Sequence, residues 1–388
     1  MPASPSLLIV PARFKTGKLY TQIATTSAGV VLGSSGDFNV TRATTATRFN
    51  SAGLIESVAS GVPRLDYYTS GGTAGCPALL VEPAATNLAL HSRDLSNVVW
   101  VKTSITAAKN AVGADGTASG ATTLTATAAS GTVLQALVNV SQSRVFSAYI
   151  RRVSGTGAIQ LTTNGGTNWD TVTISSLYTQ VFCTAQTVLN GSVGIRMAVS
   201  GDVIEVDFTQ GEVGPVATSP IATTIATGTR NADVVTLSGA VSGCIGQTEG
   251  TLYAEVDIQF NNRNADIIGL DSGSSANGFY LTIRSSSVIE LRVRQNSTNA
   301  LIFQRTGAYP VGINKIAVSY KNGDFAISLN GTTTQVDTST ITMPSVAITR
   351  ASVVPSVNFT LDQSVRVRAA ALYTTRLTNA ELQSLTTL

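Results

Sequence analysis

The chain has 388 residues, 43% of them hydrophobic, which is enough for sizeable cores and too long for one ordinary sandwich, so two or three domains are expected. Charged residues make up only 12%, about half the usual share, which leaves Ser, Thr, Asn and Gln to supply the polar surface. A formal net charge of +3 is small for this length and argues against a nucleic-acid binder. Arg151-Arg152 and the alternating Arg284, Arg292 and Arg294 read as solvated, outward strand residues.

Cys76, Cys183 and Cys244 are odd in number, far apart and lack a C-x-x-C pair. Buried free thiols are expected, rather than a disulfide framework or a zinc site. Met1 to Val10 carries no basic stretch ahead of its short apolar run, and no segment approaches the ~20 apolar residues of a membrane-spanning helix. The expectation is a protein made in a cytoplasm, without a secretory leader and without membrane insertion.

In chain order, residues 1–98 read as an irregular Gly/Ser/Thr-rich segment with short strands, among them the apolar run Leu7 to Val10, and a turn cluster at Gly33 to Asp37. From Trp100 to about Asp207 short alternating strands take over. Val145, Ser147 and Tyr149 alternate with Phe146, Ala148 and Ile150, and Asn164-Gly165-Gly166 marks a tight turn. Residues 211–235, with Pro215 and Pro220, read as an extended connector. A second β block runs from Gly250. Leu252, Ala254, Val256 and Ile258 share one face, as do Ile316, Val318 and Tyr320. Turns at Lys321-Asn322-Gly323-Asp324 and Leu329-Asn330-Gly331-Thr332 flank the strand Phe325 to Leu329, which predicts a meander. Thr378 with Glu381 three residues on makes a capping box, and Leu382 and Leu385 give one short helix an apolar stripe. That helix is expected across one end of the last sandwich. No long heptad segment is present.

The expected fold is therefore all-β: an irregular N-terminal segment over 1–98, an antiparallel sandwich with its connector over 99–235, and a second sandwich over 236–388 closed by a short C-terminal helix.

Catalytic patterns each lack a part. His91 is the only histidine and no G-x-S-x-G occurs. Gly17-Lys18 has no glycine five residues before it and Leu19 after it, so it is no phosphate loop. Glu205-Val206-Asp207 and Glu255-Val256-Asp257 each place two acids on one strand face. A laminarinase-type Glu-x-Asp-x-Glu would need a third acid where Thr209 and Gln259 stand. Both pairs read as solvated acids. No catalytic residue, metal site or cofactor is expected, and the protein is read as a non-enzyme. Aromatic rings are the remaining handle for sugar binding. Trp100, Tyr149, Trp169 and Tyr178 are the candidates, and for each the alternative is core or interface packing.

Three stretches resemble modules of tail-fibre and other virion proteins of tailed phages. The first is Arg42-Ala43-Thr44-Thr45-Ala46-Thr47-Arg48 with Gly53-Leu54-Ile55-Glu56, then Pro63-Arg64-Leu65-Asp66-Tyr67, Leu79-Leu80-Val81-Glu82-Pro83 and Thr86-Asn87-Leu88. The second is Gln210-Gly211-Glu212-Val213-Gly214 with Ala217-Thr218-Ser219-Pro220-Ile221 and Thr229-Arg230-Asn231-Ala232-Asp233, similar to the ending of carbohydrate-binding-module-like jelly rolls. The third, Ala371-Leu372-Tyr373 through Leu377-Thr378-Asn379-Ala380-Glu381-Leu382, resembles the close of laminin-G or concanavalin-like sandwiches. The resemblance implies a structural virion protein, a fibre or decoration protein assembled in the host cytoplasm. Its N-terminal segment would attach it to other virion proteins. It would be a homotrimer or other homo-oligomer and would contact host-surface polysaccharide through lectin-like domains. A glycan-degrading depolymerase and a ligand-free capsid cement stay open as alternatives.

Overall fold

The computed structural model describes residues 4–20, 22–25, 29–32, 37–68, 75–137, 141–238, 243–355 and 361–388. Met1 and most of the expected turn cluster after Gly33 lie outside them. The chain is all-β, with every paired strand antiparallel in multiple sheets, and ends in one short helix.

The division of the chain differs from the sequence-based boundaries. One compact unit takes Met1–Ala43, Ser60–Pro83 and Ala232–Leu388, and the other takes Thr44–Ala59 and Ala84–Asn231. Residues 1–98 are therefore no separate body, and the chain passes between the units four times. Strand pairing is the physical reason. Strand Leu7–Ile9 lies between strands Val365–Tyr373 and Gln22–Thr25, and strand Ala78–Val81 pairs with the other end of Val365–Tyr373. Strand Phe38–Thr41 pairs with Val234–Ser238. Strand Ala85–Asn87 instead joins the second unit, between Val203–Val213 and Gly228–Arg230.

In the first unit a ten-stranded and a nine-stranded sheet enclose one apolar core. The alternations expected from sequence supply it: Leu252, Ala254, Val256 and Ile258, then Ile316, Val318 and Tyr320, then Phe325, Ile327 and Leu329, all face inward. Phe279 stacks on Tyr320 with ring centres 3.8 Å apart, and the Tyr320 hydroxyl donates to the Gly246 carbonyl at 2.7 Å. The meander is present, its second turn carrying Asn330 at φ 48° and Gly331 at φ 69° and closed by the Thr332 amide donating to the Leu329 carbonyl at 2.9 Å.

Helix Asn379–Leu385 has the expected capping box, with Thr378 as N-cap and Glu381 closing it. Its position differs from the expected one. Leu382 packs on Tyr253, Ala317, Ala326 and Ala371, on the outward face of the ten-stranded sheet rather than across an end. Alanines at that face let a helix approach the strands closely.

In the second unit an eight-stranded and a five-stranded sheet enclose a core that includes Trp100, Leu124, Val133, Phe146, Ile150, Leu161, Ile195 and Val206. The hairpin of strands Ala46–Phe49 and Ile55–Val58 packs through Phe49 and Ile55 on the other face of the eight-stranded sheet, over Tyr149 and Phe208. The expected connector is not a free linker. Val216, Ala217 and Thr218 are buried, and Glu212 accepts from the Thr218 amide at 3.0 Å and from its hydroxyl. Gln210 accepts from the Ile221 amide at 2.5 Å. A strap pinned by buried side chains has no linker freedom.

Candidate functional site

The residues that carry the phage resemblance build internal staples. In the first unit Arg42 pairs with Asp233 at 2.8 Å, across 191 residues of chain. Arg64 pairs with Glu82 at 2.6 Å and also with Asp233. Glu82 further accepts from the Ser364 hydroxyl at 2.6 Å, and Arg366 pairs with Asp66 at 2.7 Å. These charges are buried, so each needs its partner. In the second unit Asn87 donates to the carbonyls of Thr209 and Ile221 at 2.9 and 2.8 Å, and accepts from the amides of Ala89 and Gly211. Arg230 donates to the Thr218 hydroxyl at 3.1 Å and the Ser219 hydroxyl at 3.0 Å. None of these side chains faces outward as a ligand site.

Two of the four aromatic candidates are corrected. Trp100 is 0% exposed, lies beside Phe146 and donates its indole N–H to the carbonyls of Leu90 and His91 at 3.2 and 3.3 Å. Tyr149 is 3% exposed beneath Phe49, with Phe208 edge-on at 6.3 Å. A ring enclosed by protein cannot stack on a sugar. Tyr178 is half-buried, its ring under the Arg151 guanidinium at 4.7 Å and its hydroxyl donating to the Val112 carbonyl at 2.9 Å. Burial, and after it the charge of Glu205, push its phenol above the ordinary range.

The acid pairs differ from the solvated reading. Glu205 and Asp207 do share a face, but Arg151 engages Glu205, while Asp207 is fully buried against Arg93 at 2.8 Å. Glu255 pairs with Arg368 at 2.7 Å. The Arg284, Arg292 and Arg294 group is likewise not simply solvated. Arg292 is 8% exposed and holds buried Glu290 at 2.7 Å, and Arg294 donates to the Ser297 carbonyl. Of the cysteines, Cys183 and Cys244 are buried as expected and Cys76 is exposed. Among the described residues no group of three or more His, Cys, Asp or Glu is placed to hold a metal ion.

Trp169 leads to a polar surface on the outward face of the five-stranded sheet. It is half-buried at the end of the Asn164–Asn168 loop, beside the edge strand Asp170–Val172 of the five-stranded sheet. The loop is fastened internally: the Asn164 side-chain oxygen accepts from the Thr162 hydroxyl at 3.0 Å and the Asn168 amide at 2.9 Å. Gly166 has φ 92°, and a Cβ there would come within 3.0 Å of the indole, so glycine is what lets the loop close on the ring. The Arg196 guanidinium lies over the indole at 4.7 Å, and its Nε donates to Gln160 at 2.7 Å. Gln160 in turn donates to the Thr171 hydroxyl at 3.1 Å.

Register places these groups in one line. Thr103 pairs with Thr132, Thr132 with Arg196, Arg196 with Gln160, and Gln160 with Thr171. Their chain neighbours Val133, Ile195, Ile159 and Leu161 point into the core, so the five polar residues form a row across the outward face. Leu134 and exposed Val101 flank the row, Leu134 folding over Gly194, where a Cβ would lie 2.7 Å from its Cδ2. The row thus offers hydroxyls, an amide and a held guanidinium beside a small apolar strip. The sequence reading named Trp169 and missed Arg196. The signal was available in Ser192-Val193-Gly194-Ile195-Arg196-Met197, whose alternation turns Arg196 outward.

No protein-family model matches the chain, and no curated protein does. Several solved structures show a partial likeness. The CBM40 module of the Ruminococcus gnavus IT-sialidase is 12% identical with a TM-score of 0.31, over 38% of this chain and 86% of that one. The receptor binding domain of botulinum neurotoxin C/D mosaic serotype is 15% identical with a TM-score of 0.30, over 39% of this chain and 40% of that one. The leech intramolecular trans-sialidase is 14% identical with a TM-score of 0.30, over 36% of this chain and 23% of that one. Likeness at these values carries no function from one chain to another.

Proposed function

We propose that this protein is a structural, non-enzymatic surface component of a tailed-phage particle that touches host-surface glycans through the outward face of the five-stranded sheet. The glycan part is carried by one observation: Arg196 is held between Trp169 and Gln160 in a row of neutral polar side chains. A sugar ring presents hydroxyls on its rim and C–H groups on its faces. Threonine hydroxyls, Gln160 and the guanidinium suit the first, and Leu134 with Val101 the second. Such a shallow face binds weakly as a single copy. A homotrimer or larger array raises avidity by roughly 10²–10⁴-fold without stronger sites.

The virion part is supported by the sequence resemblance. The low share of charge also suits it, since repulsion between packed copies is small. The non-enzymatic part is supported by the acids: Glu205, Asp207 and Glu255 are each engaged by an arginine rather than paired across a cleft. A second reading, a ligand-free cement protein, is favoured by the commitment of Trp100 and Tyr149 to packing.

The test is immunogold localisation on purified particles together with binding of the full chain to host-envelope polysaccharide. Label on particles and saturable binding without release of reducing sugars are the expected results. Label without binding favours the cement reading, and release of reducing sugars makes the protein a depolymerase.

A further inference from the structure

We infer that the Arg196 fork is a carboxylate site, so that the glycan held on this face is an acidic one bearing uronate or similar sugars; the inference rests on the reading that this sheet face binds glycans. A guanidinium presents its donors in a flat fork that matches the two oxygens of a carboxylate. Here the Nε of Arg196 donates to Gln160 at 2.7 Å, and its guanidinium carbon lies over the Trp169 ring, 4.7 Å from the ring centre. The two terminal nitrogens have no hydrogen-bond partner among the described residues. Held at two points, by Gln160 and by the Trp169 ring, the fork is preorganised rather than free to wander.

Four other arginines of the second unit are ion-paired. Arg48 pairs with Glu56 at 2.6 Å, Arg93 with Asp115 at 2.7 Å and Asp207 at 2.8 Å, and Arg152 with Asp202 at 3.3 Å, while Arg151 holds Glu205. Arg196 has no carboxylate within ion-pair distance among the described residues. Its neighbours in the row, Thr132, Gln160 and Thr171, are neutral. The outward face thus holds a positive charge with its counter-charge missing and hydroxyl donors and acceptors beside it. A single guanidinium matches the single charge of a carboxylate. A phosphate, at about −1.5 to −2, is ordinarily met by a cluster of arginines.

The experiment uses the full chain on immobilised polygalacturonate, alginate and hyaluronan, each beside its carboxyl-reduced counterpart. The unsubstituted protein is expected to favour at least one acidic polymer over its reduced form by roughly tenfold or more, as charge-assisted hydrogen bonds allow. Arg196→Gln is expected to abolish that preference, and Arg196→Lys, which keeps the charge and loses the fork, to retain only part of it. An unchanged melting temperature shows that the variants fold. Equal binding of acidic and reduced polymers overturns the carboxylate assignment and leaves the glycan reading standing. Binding to neither form of any polymer overturns both.

Discussion

The guanidinium of Arg196 lies 4.7 Å over the indole of Trp169, and each holds the other in place on an exposed sheet face. The pairing changes what the tryptophan is for. One face of the ring is spent on the arginine, so the indole positions a hydrogen-bonding fork rather than offering a bare platform. The contact stabilises by about 0.5–1 kcal/mol at such a site, which is enough to order a side chain and too little to hold the fold.

The two tryptophans are expected to separate in fluorescence. Trp100 is enclosed and Trp169 half-buried, so acrylamide quenching should resolve one protected and one accessible population. Trp169→Phe should remove the accessible one. Arg196→Gln should make Trp169 easier to quench by uncovering its face. Loss of the accessible population in Trp100→Phe instead would contradict the placement.

The buried network of Arg42, Arg64, Glu82 and Asp233 should be costly to break. Asp233→Ala leaves two arginines without that carboxylate and is expected to destabilise by about 3–5 kcal/mol. Denaturant unfolding followed by circular dichroism measures it. A loss below about 1 kcal/mol would mean that the arginines find other partners.

Acid should weaken the second unit through Asp115. Burial acts to raise this carboxyl, but the hydrogen bonds from Arg93 and Thr117 and the charge of Arg93 outweigh it and hold it at about 2. A folded value below the ordinary ~3.9 makes the contribution fully present above pH ~4, and it is lost as pH falls through about 2. Unfolding midpoints between pH 5 and pH 2 should therefore drop, and Asp115→Asn should flatten that drop. A slope unchanged in the variant would contradict the pairing.

Thiol chemistry should distinguish the three cysteines. Burial pushes the Cys183 thiol up to about 11 and moves Cys244 in the same direction, while Cys76 is exposed. At pH 8 a thiol-reactive disulfide should modify one thiol in the folded chain, removed by Cys76→Ser, and three after unfolding. Rapid modification of all three would show the cores to be open.

Local signals were legible in the sequence. The capping box at Thr378, the two Asn-Gly turns and the inward alternations appear where their residues put them, because each depends on neighbours in the chain. Partners far along the chain were not. Leu7–Ile9 reads as a strand from its own residues, but nothing local says that it pairs with Ala370–Leu372. Tyr149 alternates outward from the core and so resembles an exposed ring, until a hairpin about a hundred residues earlier covers it. The motif charges pointed to a family and gave no sign of being staples, since burial depends on what the rest of the chain brings to them.

The proposed role of the Arg196 row in meeting glycans is checked by titrating purified host-envelope polysaccharide against the full chain and its Arg196→Gln variant by calorimetry. Saturable binding is expected, weakened on the order of tenfold or more in the variant, with the melting temperature unchanged. Equal affinity in the two proteins would contradict it.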